Sequence, residues 1–538
     1  MSGWPVSMTK CRGQGGGRLL AASLAFLFAW TSVATTRVAG AEEGETFVDT
    51  KRGIAAQRDA ADAAAKRVVA GDAALDEILA FLHDPSAQVR DRVVSTLIEK
   101  GTSEQLDALL RGLGHREPLV IEGLAEVFAV RGHAAATGPL LIALGQRRPV
   151  ATTAILLDAL GALRSPDSWK PVLSFFKKQK KQAALQAAAL RSLARIDPGQ
   201  ARALVDESLG SKFAEVRLAA MDALRGSDLE AWLGRAPGWI ADDVFDDDPQ
   251  GPRIWFAVIE ELRTLEDRVK HADALRSIVG AFLERGDAVK GRARADLFSL
   301  LEGLTGESIA ADLELWREWW KAHGAQWTPS AVGATPERTN TAVAKFHGLP
   351  IDSFRVVFLQ DLSGGMTRDA QGKYDGAGPS RLDQAKRELA KTLERLDDQC
   401  IVRLVYFASF FETFGFDRKA VPLGKSRRSL IAASAERQVP KKPHYNRGNL
   451  YDSLVWTIQQ PYVDTIYILT EGAPTEGKFL DYDRFLAHLE REWRPYRTRI
   501  HVISFGELRG RNKNFLEKMA KLTGGEVREV DPFAEAGD

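Results

Sequence analysis

Residues 356–366, VVFLQDLSGGM, run from an apolar strand pattern straight into an acid, a hydroxyl and two glycines. Asp361 and Ser363 offer hard oxygen donors at a strand end, which is the chemistry of a divalent-cation site. The glycines beyond them, including those in RDAQGKYDGAGPSR at 368–381, lack the strand, Gly-rich loop and Lys-Ser/Thr order that cradles nucleotide phosphates, so no nucleotide is expected. A second acidic group, DDVFDDDPQG at 242–251, has the oxygen density of a calcium loop but no bidentate acid closing it in register. It reads as a charged loop between helices. The nine histidines are scattered, with no H-x-x-x-H pair and no adjacent glutamate base, so the pattern of a hydrolytic metal centre is missing. Cys400 opens the apolar run CIVRLVYF and reads as a small core residue rather than a nucleophile. With no triad or acid pair in a sensible context, the chain is read as not an enzyme.

The elements that must hold these groups fall into two bodies within 538 residues. Apolar residues make up 45% and charged residues 27%, an ordinary globular balance, and a net charge of +1 gives no electrostatic case for nucleic acid. In residues 1–41, Lys10, Arg12 and Arg18 precede the apolar LLAASLAFLFAWTSVA and a small-residue AGA, the order of a secretory signal. An uncut anchor is the alternative, but the apolar stretch falls short of the roughly twenty residues that span a bilayer. The expectation is an exported protein, periplasmic or extracellular, with no stable membrane span after cleavage. Residues 42–71 read as a helical or extended lead-in. Over 72–327 short Ala- and Leu-rich helices are broken by Gly, Pro or Asp and begin again, as in DPSAQVRDRVVSTLIEKG at 84–101 and GSKFAEVRLAAMDALRG at 210–226. Their apolar residues return at helical spacing, and stacked hairpins of this kind share one continuous core. The Asp84-x-x-x-x-Val89-Arg90 opening resembles HEAT-type repeats, which implies an all-α solenoid, here of five to seven units, with a long protein-binding surface. A plain helical spacer is the alternative. FFKKQKKQ at 175–182 reads as a solvated basic face, and Trp316, Trp319 and Trp320, on one helical face, read with Trp327 as the seal of the last repeat. A Pro/Ser/Thr/Gly-rich linker covers 328–350, and a short tail covers 532–538.

Over 351–531 the period changes. FRVVFLQ, IVRLVYFAS, DTIYILT, TRIHVISFG and EVREV read as strands, FETFG as a short edge strand, and amphipathic helices alternate with them. That alternation predicts an α/β, Rossmann-like body with a mostly parallel central sheet, whose ligands gather at the carboxyl ends of its strands. Three such loops, DLSGGM, RGNLYDSL and TEGAPTEG, together with the element order, resemble the von Willebrand factor type A domain. The resemblance implies a metal-ion-dependent adhesion site built on Asp-x-Ser-x-Ser, a threonine before the middle helix and an aspartate after the central strand. These hold magnesium or another divalent ion that binds an acidic group of a partner.

Carried onto this chain, the first acid and serine are Asp361 and Ser363. Gly365 replaces the second serine, Gly448 stands at the threonine's position, and Glu471 replaces the aspartate. The implied site is therefore degenerate, with no cofactor assured and Mg2+ or another divalent cation bound weakly or lost. KKPHYNRGN at 441–449 offers Lys441, Lys442, His444 and Arg447 as a basic receptor for a partner's acidic group. The expected function is a non-enzymatic protein–protein interaction or adhesion-type module that recognises a protein or cell-surface ligand. A structural or assembly scaffold is the alternative, and a hydrolytic enzyme has no motif behind it.

Overall fold

The computed structural model describes residues 52–242, 252–330, 344–417, 419–439 and 447–533, together with a three-residue strand, β1, at Thr36–Val38. The proposed signal (apart from that strand), most of the acidic loop at 242–251 and the chain end lie outside the described residues. So do Lys441, Lys442 and His444.

Ala- and Leu-rich segments punctuated every thirty-odd residues can only bury an apolar stripe against a copy of themselves. Among the described residues, sixteen α-helices between Ile54 and His323 do this. The inner ones, Ala87–Lys100, Pro118–Arg131, Val150–Leu163, Ala183–Ile196 and Ala214–Ser227, start about thirty-two residues apart, and Arg253–Thr264 and Arg292–Thr305 follow. They stack in sequence order around one core that runs from Ala61 to Trp327. The lead-in joins the array: Ile54–Ala70 buries Ala61, Ala64 and Val68 in the same core. At the far end Trp316 is 1% exposed and Trp327 is 7% exposed, with Trp320 edge-on to Trp327, so the tryptophans close the last core. No helix among the described residues is long and apolar enough to cross a membrane.

The second body is a sheet with helices on both faces. Its strands are β4 (Arg355–Asp361), β5 (Ile401–Phe407), β6 (Phe411–Phe414), β7 (Thr465–Thr470), β8 (Arg499–Phe505) and β9 (Val527–Val530), in the spatial order β1-β6-β5-β4-β7-β8-β9. Every pairing from β5 to β9 is parallel, and β6 is antiparallel to both β5 and β1. Alternate residues of β4 enter two different cores: Val356 and Phe358 on one face, Val357 and Leu359 on the other. Burial on both faces explains why these strands read as unbroken apolar runs. The last residues of the linker belong to this body. β2 (Lys345–Phe346) and β3 (Leu349–Pro350) form a hairpin whose two-residue turn, His347 (φ 46°) and Gly348 (φ 80°), has the left-handed backbone that such turns need. Phe346 is fully buried against Phe358.

Candidate functional site

β4 lies between β5 and β7, so the chain leaves it in one direction for β5 and returns on its other side as β7. The strand order reverses there, and the carboxyl ends at such a point are the usual ligand position in sheets of this kind. Asp361 ends β4 and Glu471 directly follows β7, so the fold brings together two acids 110 residues apart in sequence.

Their surroundings are specific. Asp361 is 4% exposed; its Oδ1 accepts the Ser363 N–H at 2.7 Å and its Oδ2 accepts the Thr470 hydroxyl at 3.2 Å. Burial and the neighbouring Glu471 push the Asp361 carboxyl up to about 6, against the pull of its hydrogen bonds. The Ser363 hydroxyl lies 3.5 Å from Glu471 Oε1, and Glu471 Oε2 accepts Arg381 Nη1 at 2.7 Å. A Cβ placed on Gly365 would stand 1.4 Å from Glu471 Oε1. The two residues are therefore coupled: the Glu471 carboxylate occupies the hollow that a side chain at 365 would fill.

Gly448 is different. A Cβ there would meet Phe407 at an ordinary 3.5 Å, so no comparable hollow exists. Its N–H donates to the Thr475 hydroxyl at 2.9 Å and its carbonyl accepts the N–H groups of Thr475 and Glu476, which ties this loop to the one after β7. Arg447 is held by Glu476 at 2.7 and 3.1 Å and by the Arg52 carbonyl, so its guanidinium braces the loop instead of forming an open receptor. Asp452 accepts from the Asn449 amide at 2.8 Å within the cap of the Leu450–Ile458 helix.

Among the described residues no group of three or more His, Cys, Asp or Glu side chains clusters as metal ligands. With Glu471 seated in the Gly365 hollow and bonded to a guanidinium, the set does not fit a divalent ion held between Asp361 and the acid after β7. Sequence reasoning missed Thr470 and Arg381. Thr470 was within reach, as the hydroxyl immediately before Glu471. Arg381 opens the Arg381–Arg395 helix, ninety residues from its partner, and no local pattern marks it.

A larger polar surface was also missed. The Tyr482–Trp493 helix turns Arg484, His488 and Arg491 along one side, and Arg494, Arg497 and Arg499 continue beyond it. Facing them is a ladder of acids on six of the seven inner helices, Asp91, Glu122 and Glu126, Asp158, Asp222, Glu260 and Asp296; the Ala183–Ile196 helix contributes none. Arg484 binds Asp91 and forks onto Glu126 at 2.7 and 2.8 Å, while His488 meets Glu126 at 3.1 Å. Burial opposes charge on Glu126, but Arg484 and His488 hold it well below the usual carboxylate range. Lys478 reaches Glu122 at 2.8 Å, and Arg497 reaches Asp222 at 2.8 Å and Glu260 at 3.0 Å. Arg499, fully buried, joins Asp296 and Asp352. Asp91 also accepts the N–H groups of Leu480 and Asp481, and Arg90 of the Val-Arg opening donates to the carbonyls of Gly477 and Lys478. The solenoid face expected to receive a foreign protein receives the chain's own α/β body.

No protein-family model matches the chain, and none of the curated proteins compared with it matches. Among solved structures, the complex of CpcE and CpcF of phycocyanin lyase from Nostoc sp. PCC7120 is similar over 48% of this chain and 99% of its own, at 16% identity and a TM-score of 0.24. An uncharacterized membrane spanning protein from Vibrio fischeri is similar over 32% of this chain and 91% of its own, at 19% identity and a TM-score of 0.15. At these values neither likeness carries anything over to this chain.

Proposed function

We propose that the chain is an exported, non-enzymatic binding module in which a HEAT-like solenoid backs a von Willebrand factor A-like domain. The strand-end rim of that domain meets a protein or cell-surface ligand, and any divalent ion there is weak or lost. One observation carries this reading: the inner solenoid face is filled by the α/β body, while the rim around Glu471 and Arg381 keeps 23% and 20% of those side chains open. The strand order, with antiparallel β6 beside parallel β5 and β4 central, supports the family resemblance. Against a hydrolase stands the placement of Asp361, whose oxygens are both engaged below the surface.

A photo-reactive phenylalanine analogue at Tyr374, an aromatic 54% exposed in the loop between Ser363 and Arg381, tests the rim in the full chain. The expected result is a discrete adduct from that position and none from Ile142, 69% exposed on the outer Thr137–Leu144 helix. An adduct from Ile142 alone would favour the scaffold reading, and turnover of a peptide, ester or glycan panel would defeat both.

A further inference from the structure

The geometry points to Arg381 as the resident cation of the rim: its guanidinium occupies the electrostatic role of a divalent ion and excludes one. This deepens the binding reading above, and its chemistry is testable without any partner.

Three observations converge. Glu471 is fully committed, with Oε1 in the Gly365 hollow and within 3.5 Å of the Ser363 hydroxyl, and Oε2 on Arg381 Nη1 at 2.7 Å. An ion that used Glu471 would have to break the Arg381 pair and draw the carboxylate out of that hollow. Arg381 is also placed by the fold. It is the first residue of a fifteen-residue helix behind a complete Ser380–Asp383 capping box, and its own N–H donates to the Arg368 carbonyl at 2.9 Å. A capped helix start holds the side chain's root in one position. Finally, guanidinium stays charged at any working pH and presents a planar fork of donors suited to carboxylates. Arg381 Nη1 takes Glu471, and 20% of the Arg381 side chain stays open at the rim. The cation is thus part of the covalent chain, and the rim meets an acidic group of a partner through arginine rather than through a bridging metal.

The experiment is calorimetric titration of the full chain with MnCl2 and MgCl2 after exhaustive EDTA dialysis, on wild type, Arg381→Lys, Arg381→Met and Arg381→Gln. Wild type and Arg381→Lys are expected to show no saturable heat through the millimolar range. Arg381→Met and Arg381→Gln, which leave Asp361, Ser363 and Glu471 without their counter-charge, are expected to bind Mn2+ at least about tenfold more tightly. Saturable submillimolar binding by wild type would overturn the assignment, as would silence from both neutral variants when their circular dichroism and melting match wild type. If both neutral variants fail to fold, wild type decides alone, silence supporting the assignment and saturation overturning it. A silent wild type that gives no adduct at Tyr374 would remove the binding reading while leaving Arg381's role intact.

Discussion

Asp361 sits where burial and a neighbouring carboxylate both penalise its charge. Its folded value of about 6 lies above the ordinary 3.8, so the folded chain binds that proton more tightly than the unfolded one. The associated stability is fully present below the unfolded value and is lost as pH rises through the folded one. At pH 7 the ionised acid is therefore a burden. Asp361→Asn keeps an acceptor for the Ser363 N–H and removes the charge. It is expected to raise stability at pH 7 by about 1–3 kcal/mol, read as a higher urea midpoint at unchanged slope. A lower midpoint would mean that a cation compensates Asp361 after all. Residue chemistry alone does not reveal this arrangement: no local pattern shows that the Glu471 carboxylate lies in the hollow beside Gly365.

The Tyr482–Trp493 helix shows what the element scale adds. Phe485 and Leu489 face the sheet core, as its amphipathic pattern requires. The opposite stripe is arginine-rich, a pattern that normally means a solvated face. Here Arg484 is buried between Asp91 and Glu126. Removing one member of a buried ionic group strands the others, so Arg484→Ala is expected to cost about 3–5 kcal/mol. Arg484→Lys is expected to recover only part of that, because an ammonium cannot fork onto Glu126. A triple change, Arg484→Met with Asp91→Asn and Glu126→Gln, should lose less than Arg484→Ala in denaturant unfolding. If Arg484→Ala left the midpoint unmoved, the buried contacts described here would be wrong.

At the scale of the whole molecule, the acidic ladder joins the two bodies from Asp91 to Asp296, nearly the full run of inner helices. Bodies coupled by buried charge pairs should unfold together, and buried pairs are screened little by salt. A single calorimetric transition is expected, retained at high salt. The double reversal Arg484→Glu with Arg497→Glu, which places like charges against Glu126, Asp222 and Glu260, is expected to split it into two. Two transitions in the wild-type chain would mean that the bodies are independent. In the binding reading proposed above, the solenoid acts as a fixed backing and recognition falls to the rim of the α/β body.

The two-body architecture was legible from local pattern. Period-3.6 stripes specify stacked helices, and unbroken apolar runs alternating with amphipathic helices specify a covered parallel sheet; both signals are carried by residues a few positions apart. Asp361, Ser363 and Glu471 were legible as residues at strand ends, because strand order places those ends on one edge. Only the tertiary structure decided what these groups do together. Arg381 reaches Glu471 across ninety residues, Glu471 fills the space beside Gly365, and acids scattered over six inner helices gain meaning only when an arginine-bearing helix lies across the stack. Those relations are set by distances between elements far apart in the chain, which no sequence window contains.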